Sequence, residues 1–230
     1  LYVADGLNRR IRQISEAGAP ATVRDEAVGF IVRAYLDLLG REPSAAEISF
    51  WGSLVANGMP REWLGGVLVT TTEFRLLVAV ATYHTWLGRA PTAAEATAVA
   101  NRLASGTTLE QVWADLAGSE ESWVRHGRSP GAYVDALYRL GFGREPEAGG
   151  RAFWVDKLTK GYSRTTAALA FALNPEGSTN IVKQCYARFL GHEADPVGLD
   201  FWVRQLQAGF RTEYVLAFFV GSNEYRARTS

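Results

Sequence analysis

The sequence predicts an all-α fold: four tandem three-helix repeats of about 50 residues each. Three observations predict it. One frame, a loop glycine with six further positions, returns four times, apolar positions within it are spaced as on a helix face, and glycines recur where each of the first two helices must stop.

The loop glycine is the origin of the frame: Gly40, Gly88, Gly143 and Gly191. Five residues earlier stands a tyrosine (Tyr35, Tyr83, Tyr138, Tyr186), and one residue earlier Leu39, Leu87, Phe142 or Leu190. Tyrosine and apolar residue are four apart, so they share one face of a first helix. The glycine after them suits a left-handed helix end, a conformation costly to other side chains. Pro43, Pro91 and Pro146 follow three residues on, and the fourth unit delays its proline to Pro196.

A second helix carries Trp51, Val99, Trp154 and Trp202, with Val55, Leu103, Leu158 and Leu206 four residues further. It stops at a second glycine: Gly58, Gly106, Gly161 or Gly209. A third helix is expected in 62–69, 109–116, 165–173 and 212–220. The frame closes on Glu73, Glu121, Glu176 and Glu224.

The steps from Gly40 to Gly88 and from Gly143 to Gly191 are both 48, whereas Gly88 to Gly143 is 55. The extra residues fall in the polar run 125–131, and 174–180 reads as a shorter break. The expected organisation is therefore two pairs of units: 21–126 with units 1 and 2, and 127–230 with a linker and units 3 and 4. Residues 1–20 stand apart. Leu1–Ile14 holds apolar, β-prone patches around an Asp-Gly-x-Asn turn, a short β-hairpin-like segment before a linker. Its Val3-Ala4-Asp5 and Asn8-Arg9-Arg10-Ile11-Arg12 resemble part of one NHL propeller blade. Leu1 is not a start residue, so upstream sequence is expected.

The chain has 24 basic and 24 acidic residues and 47% hydrophobic composition. Balanced charge speaks against a general nucleic-acid binder, and no apolar run reaches the length of a membrane span. Lys157, Lys160 and Lys183 are the only lysines, a bias that fits a high-GC bacterial genome. Cys185 is the sole cysteine, so no internal disulfide is possible, and it reads as a small buried side chain.

The Leu-Gly-Arg-Glu-Pro loop, the Gly-x-x-Phe-Trp step and the Ser-x-Glu-Tyr ending resemble the domain of unknown function 4214 family. There is a more distant likeness to phycobilisome linker domains. Unit 4 carries the resemblance best, through 190–202 and 221–225, and unit 3 is close. Unit 2 departs, with Val99 for the tryptophan and Ala90 for the loop glutamate. The resemblance implies a helical module, often in tandem, in secreted or surface proteins of bacteria. It implies no catalytic residues.

Two sets of residues are candidates for ligand binding. Arg41 and Arg144 follow the loop glycine and present planar donors suited to a carboxylate, phosphate or sugar hydroxyl. The competing reading is a clasp, in which each arginine holds helix-end carbonyls or the glutamate that closes its frame, and recurrence in register favours it. Trp63, Trp86, Trp113 and Trp123 lie outside the register tryptophan position. Each alone reads as core filling, but together they mark units 1 and 2 as the expected binding surface. His84, His126 and His192 lack metal-ligand spacing, and no nucleophile elbow, phosphate loop or converging carboxylate pair is visible. The expectation is a noncatalytic module without cofactor or metal. Its partner is an extracellular polysaccharide or surface protein, at the cell surface or outside the cell. Self-assembly into a homo-oligomer, or a spacer role, is the alternative.

Overall fold

The computed structural model describes residues 23–228, which form α-helices joined by short turns, with no strand among them. The hairpin-like segment and the NHL-like stretch expected in residues 1–20 lie outside the described residues. Unit 1 comprises α1 (Val23–Leu39), α2 (Ala45–Ala56) and α3 (Arg61–Val69). Unit 2 follows with α4 (Thr72–Leu87), α5 (Ala93–Ala104), α6 (Leu109–Gly118) and the short α7 (Glu120–Arg125). Unit 3 has α8 (Pro130–Leu137), α9 (Ala148–Thr159) and α10 (Arg164–Ala172). Unit 4 has α11 (Pro175–Cys185), α12 (Pro196–Gln207), α13 (Thr212–Gly221) and α14 (Asn223–Ala227).

The two glycine stops are as expected. All four loop glycines have φ between +65° and +76°, and the four glycines after the second helix lie between +86° and +105°. Three of the four second helices begin on side-chain caps, those of units 1, 2 and 4. Ser44 and Thr92 form capping boxes with Glu47 and Glu95, so two otherwise orphaned donors at each helix start are satisfied. The stretch 174–180 is not a break: Asn174 caps α11 and Pro175 takes its first position, where the missing N–H costs nothing. The first helices of units 3 and 4 also end in a π-helical turn, Tyr138–Phe142 and Tyr186–Leu190, a feature that sequence periodicity did not announce.

The tightest crossings do not follow the covalent pairs. Helix α3 of unit 1 lies antiparallel against α13 of unit 4, and α6 of unit 2 against α10 of unit 3. Small residues permit the approach. A Cβ on Gly65 would lie 2.8 Å from the Ala217 carbonyl oxygen, and one on Gly221 would lie 2.5 Å from Glu62 Cα. At the other crossing a Cβ on Gly118 would lie 2.5 Å from the Thr165 nitrogen. Gly118 and Gly221 stand at the same frame position, as do Thr165 and Glu62, so one crossing is built twice. The core is thus continuous across the boundary expected at 126/127.

A buried polar knot ties unit 1 to unit 4. The Tyr225 hydroxyl donates to Asp37 Oδ2 at 2.7 Å, Arg33 Nε donates to the same oxygen at 2.8 Å, and Arg188 donates to the Asp37 carbonyl. Between units 2 and 3 the seam is aromatic. Trp86 meets Trp113 edge-on at 4.9 Å between ring centres, and Trp123 meets Tyr133 at 5.8 Å. Cys185 is buried, which pushes its thiol up to about 12.

Candidate functional site

The loop arginines are fully engaged. Arg41 donates through Nε and Nη2 to both oxygens of Glu73, at 2.6 and 3.0 Å. It donates through Nη1 and Nη2 to both oxygens of Glu47, at 3.0 and 2.8 Å. Its guanidinium also lies over the register ring of Tyr35, 5.1 Å from the centre. Arg89 repeats the arrangement with Glu95, Glu121 and Tyr83. Arg144 repeats it with Glu147, Glu176 and Tyr138.

Each clasp joins the loop to the start of its own second helix and to the helix that follows its third. The hydrogen bonds from Arg41 and Arg89 hold the Glu47 and Glu95 carboxyls down at about 2. With two carboxylates and a ring on each guanidinium, Arg41 and Arg144 present no open fork.

Units 3 and 4 solve the second-helix carboxylate differently. Units 1 and 2 place Ser44 or Thr92 at the cap and Glu47 or Glu95 three residues on. Units 3 and 4 place Glu147 or Asp195 at the cap and Gly150 or Gly198 three residues on. The exchange is steric. A Cβ on Gly150 would lie 2.2 Å from both Glu147 Oε1 and the Tyr138 hydroxyl, which hydrogen-bond at 3.3 Å. Unit 4 replaces the arginine by His192, which bonds Glu224 through Nε2 and accompanies the Glu193 carbonyl through Nδ1 at 2.6 Å. The Glu193 carbonyl, and then Glu224, raise the His192 pKa above that of a free imidazole.

The off-register tryptophans do not form one surface. Trp86 has 0% exposure, and Trp113 and Trp123 pack beside it against the core, Trp123 with Arg164 5.0 Å over its ring. The physical reason lies at the seam between units 2 and 3. Gly141 leaves a space there that the Trp113 ring edge closes at 3.7 Å from where a Cβ would be. Trp86 therefore has no face for a ligand. Trp63 alone is open, at 64% exposure on the outer side of α3.

A different aromatic set is exposed in register. Phe50, Phe153 and Phe201 precede the register tryptophans and are 57%, 54% and 51% exposed. Each meets its tryptophan edge-on at 5.0, 5.3 and 5.0 Å. Unit 2 has Ala98 there. In unit 3, Lys157 lies over both Phe153 and the exposed Tyr162, at 5.0 and 4.9 Å. The Phe-Trp dipeptide was visible in the sequence. Which of its two rings faces solvent follows from the helix position one step from the buried stripe.

Among the described residues no group of three or more His, Cys, Asp or Glu side chains converges as a metal site. No single helix among them is long and apolar enough to cross a membrane.

Fold and frame define a class: helical modules repeated in tandem, three closed by an arginine clasp and the fourth by His192. The chain belongs to the family described as "Domain of unknown function (DUF4214)", which matches residues 114–181 and 177–229 and so spans half of the sequence. No curated protein and no solved structure matches the chain.

Proposed function

We propose that this chain is a noncatalytic binding module of a secreted or surface-attached protein, recognising a repetitive polymer and foremost an extracellular polysaccharide. The observation that carries the reading is the exposed phenylalanine at one frame position in three units, each backed by a tryptophan. A flat apolar ring held by a neighbour loses little freedom on binding, and sugar rings or partner side chains stack on such faces. Repeated faces suit a ligand that itself repeats, because several weak contacts on one polymer act together. Trp63 and Tyr162 add aromatic area to the same kind of surface.

The test is a binding screen of the whole chain on bacterial and plant polysaccharides beside the triple variant Phe50→Ala/Phe153→Ala/Phe201→Ala. The rings are more than half exposed, so the variant is expected to keep its fold. Saturable binding that disappears in it supports the reading. Binding unchanged by the three substitutions, or no binding to any polymer, overturns it.

A further inference from the structure

We propose that the cavity between units 1, 2 and 4 is a binding site for a small zwitterion of the α-amino-acid type, its ammonium on Glu213 and its carboxylate on Arg75. The cavity has a volume of about 150 Å³, and Thr70, Phe74, Arg75, Arg211, Glu213 and Tyr214 are among the residues that line it. A cavity of about 150 Å³ accepts a molecule of roughly six non-hydrogen atoms, the size of glycine or alanine.

Glu213 is buried, and its Oε2 has no hydrogen-bond partner among the described residues. Its other oxygen is held by Arg211, which also donates to the carbonyls of Gly106 and Thr107, both at 3.1 Å. Arg211 is therefore fixed and fully used. Arg75 lines the same cavity and makes no side-chain hydrogen bond or ion pair among the described residues. Glu213, with one carboxylate oxygen lacking a donor, and Arg75, with a guanidinium lacking an acceptor, thus line one small cavity. A molecule that carries a cationic donor next to a carboxylate supplies what each lacks.

The repeat shows why the groups are left over. Glu110 of unit 2 holds the same frame position as Glu213, and it receives the Thr212 hydroxyl at 2.5 Å. The residue in register with Thr212 is Leu109, which has nothing to donate back to Glu213. In the corresponding cleft of units 2, 3 and 4, Gln207 donates to the Leu173 carbonyl at 3.0 Å and to the Ser178 hydroxyl at 2.8 Å. The residue in register with Gln207 is Ala104, which lines the Glu213 cavity and carries no polar group. The cleft of units 2, 3 and 4 is satisfied by the chain's own side chains, and this one is not.

The experiment is calorimetric titration of the full chain with each of the twenty amino acids up to about 10 mM, a range that captures millimolar affinity. Arg75→Met, Glu213→Gln, acetate and methylammonium serve as comparisons. Arg75 is partly exposed and unpaired, so Arg75→Met keeps the test valid even if Glu213→Gln impairs folding. The expected result is saturable binding of glycine or alanine, weakened at least about tenfold by Arg75→Met and by removal of either charge from the ligand. No saturable heat with any amino acid overturns the proposal and leaves the cavity to water. Binding that survives Arg75→Met overturns it as well, since the ligand then sits elsewhere.

Discussion

Gly65 and Gly66 are neighbours in α3, and alanine at each position separates helix propensity from helix packing. A Cβ on Gly66 meets nothing within 4 Å, whereas one on Gly65 would lie 2.8 and 2.9 Å from the Ala217 carbonyl oxygen and Cα. Each substitution gains about 1 kcal/mol from the lower entropy cost of alanine within a helix. Only Gly65→Ala meets backbone that cannot swing aside, and overpacking of that kind costs roughly 1–3 kcal/mol. Gly66→Ala is therefore expected to stabilise by about 1 kcal/mol, a rise in Tm of roughly 2–4 °C for a chain of this size. Gly65→Ala is expected to fall below it by about 1–3 kcal/mol, a gap readable in parallel urea and thermal melts. Equal stabilisation by the two alanines would refute the close crossing of α3 with α13.

Three further expectations follow from the clasps and the polar knot. His192 has a raised pKa in the fold, so its clasp is fully present below the unfolded value of 6.5 and is lost as pH rises through the folded value. His192→Arg should leave Tm unchanged at acid pH and raise it at alkaline pH, and a constant difference across that range would contradict the assignment. The Glu47 carboxyl is lowered from 4.5 to about 2, so its contribution is present above 4.5 and disappears as pH falls through about 2. Arg41→Met should flatten that limb of the stability profile, measured by urea melts at stepped pH. Tyr225→Phe strips a buried bond from Asp37 and should cost about 1–3 kcal/mol, while Tyr214→Phe, on an exposed ring, should change the melting curve little.

The local architecture was legible because its determinants are local. Tyr35 and Leu39 four apart, Gly40 at positive φ and the second stop at Gly58 are properties of a single turn or helix. The clasp was half legible: the joining of Arg41 to Glu73 follows from register, but its second carboxylate, Glu47, belongs to a capping box and changes identity in unit 3. Packing between units was not legible. Gly65, Gly118 and Gly221 look like poor helix residues in the sequence and are explained only by the backbone that each one meets. Trp86 and Trp113 have the composition of a sticky surface, and only the space beside Gly141 shows that they close a seam.

Separate production of residues 21–126 and 127–230 tests most directly whether the units close on one another through α3 with α13 and α6 with α10. Each half alone would expose the buried faces of two third helices, including Leu64 and Leu68 in one half and Val215 and Val220 in the other. The halves are expected to be poorly folded apart and to combine on mixing into a one-to-one complex with the melting behaviour of the whole chain. Two halves that each fold cooperatively alone and show no mutual affinity would contradict that closure.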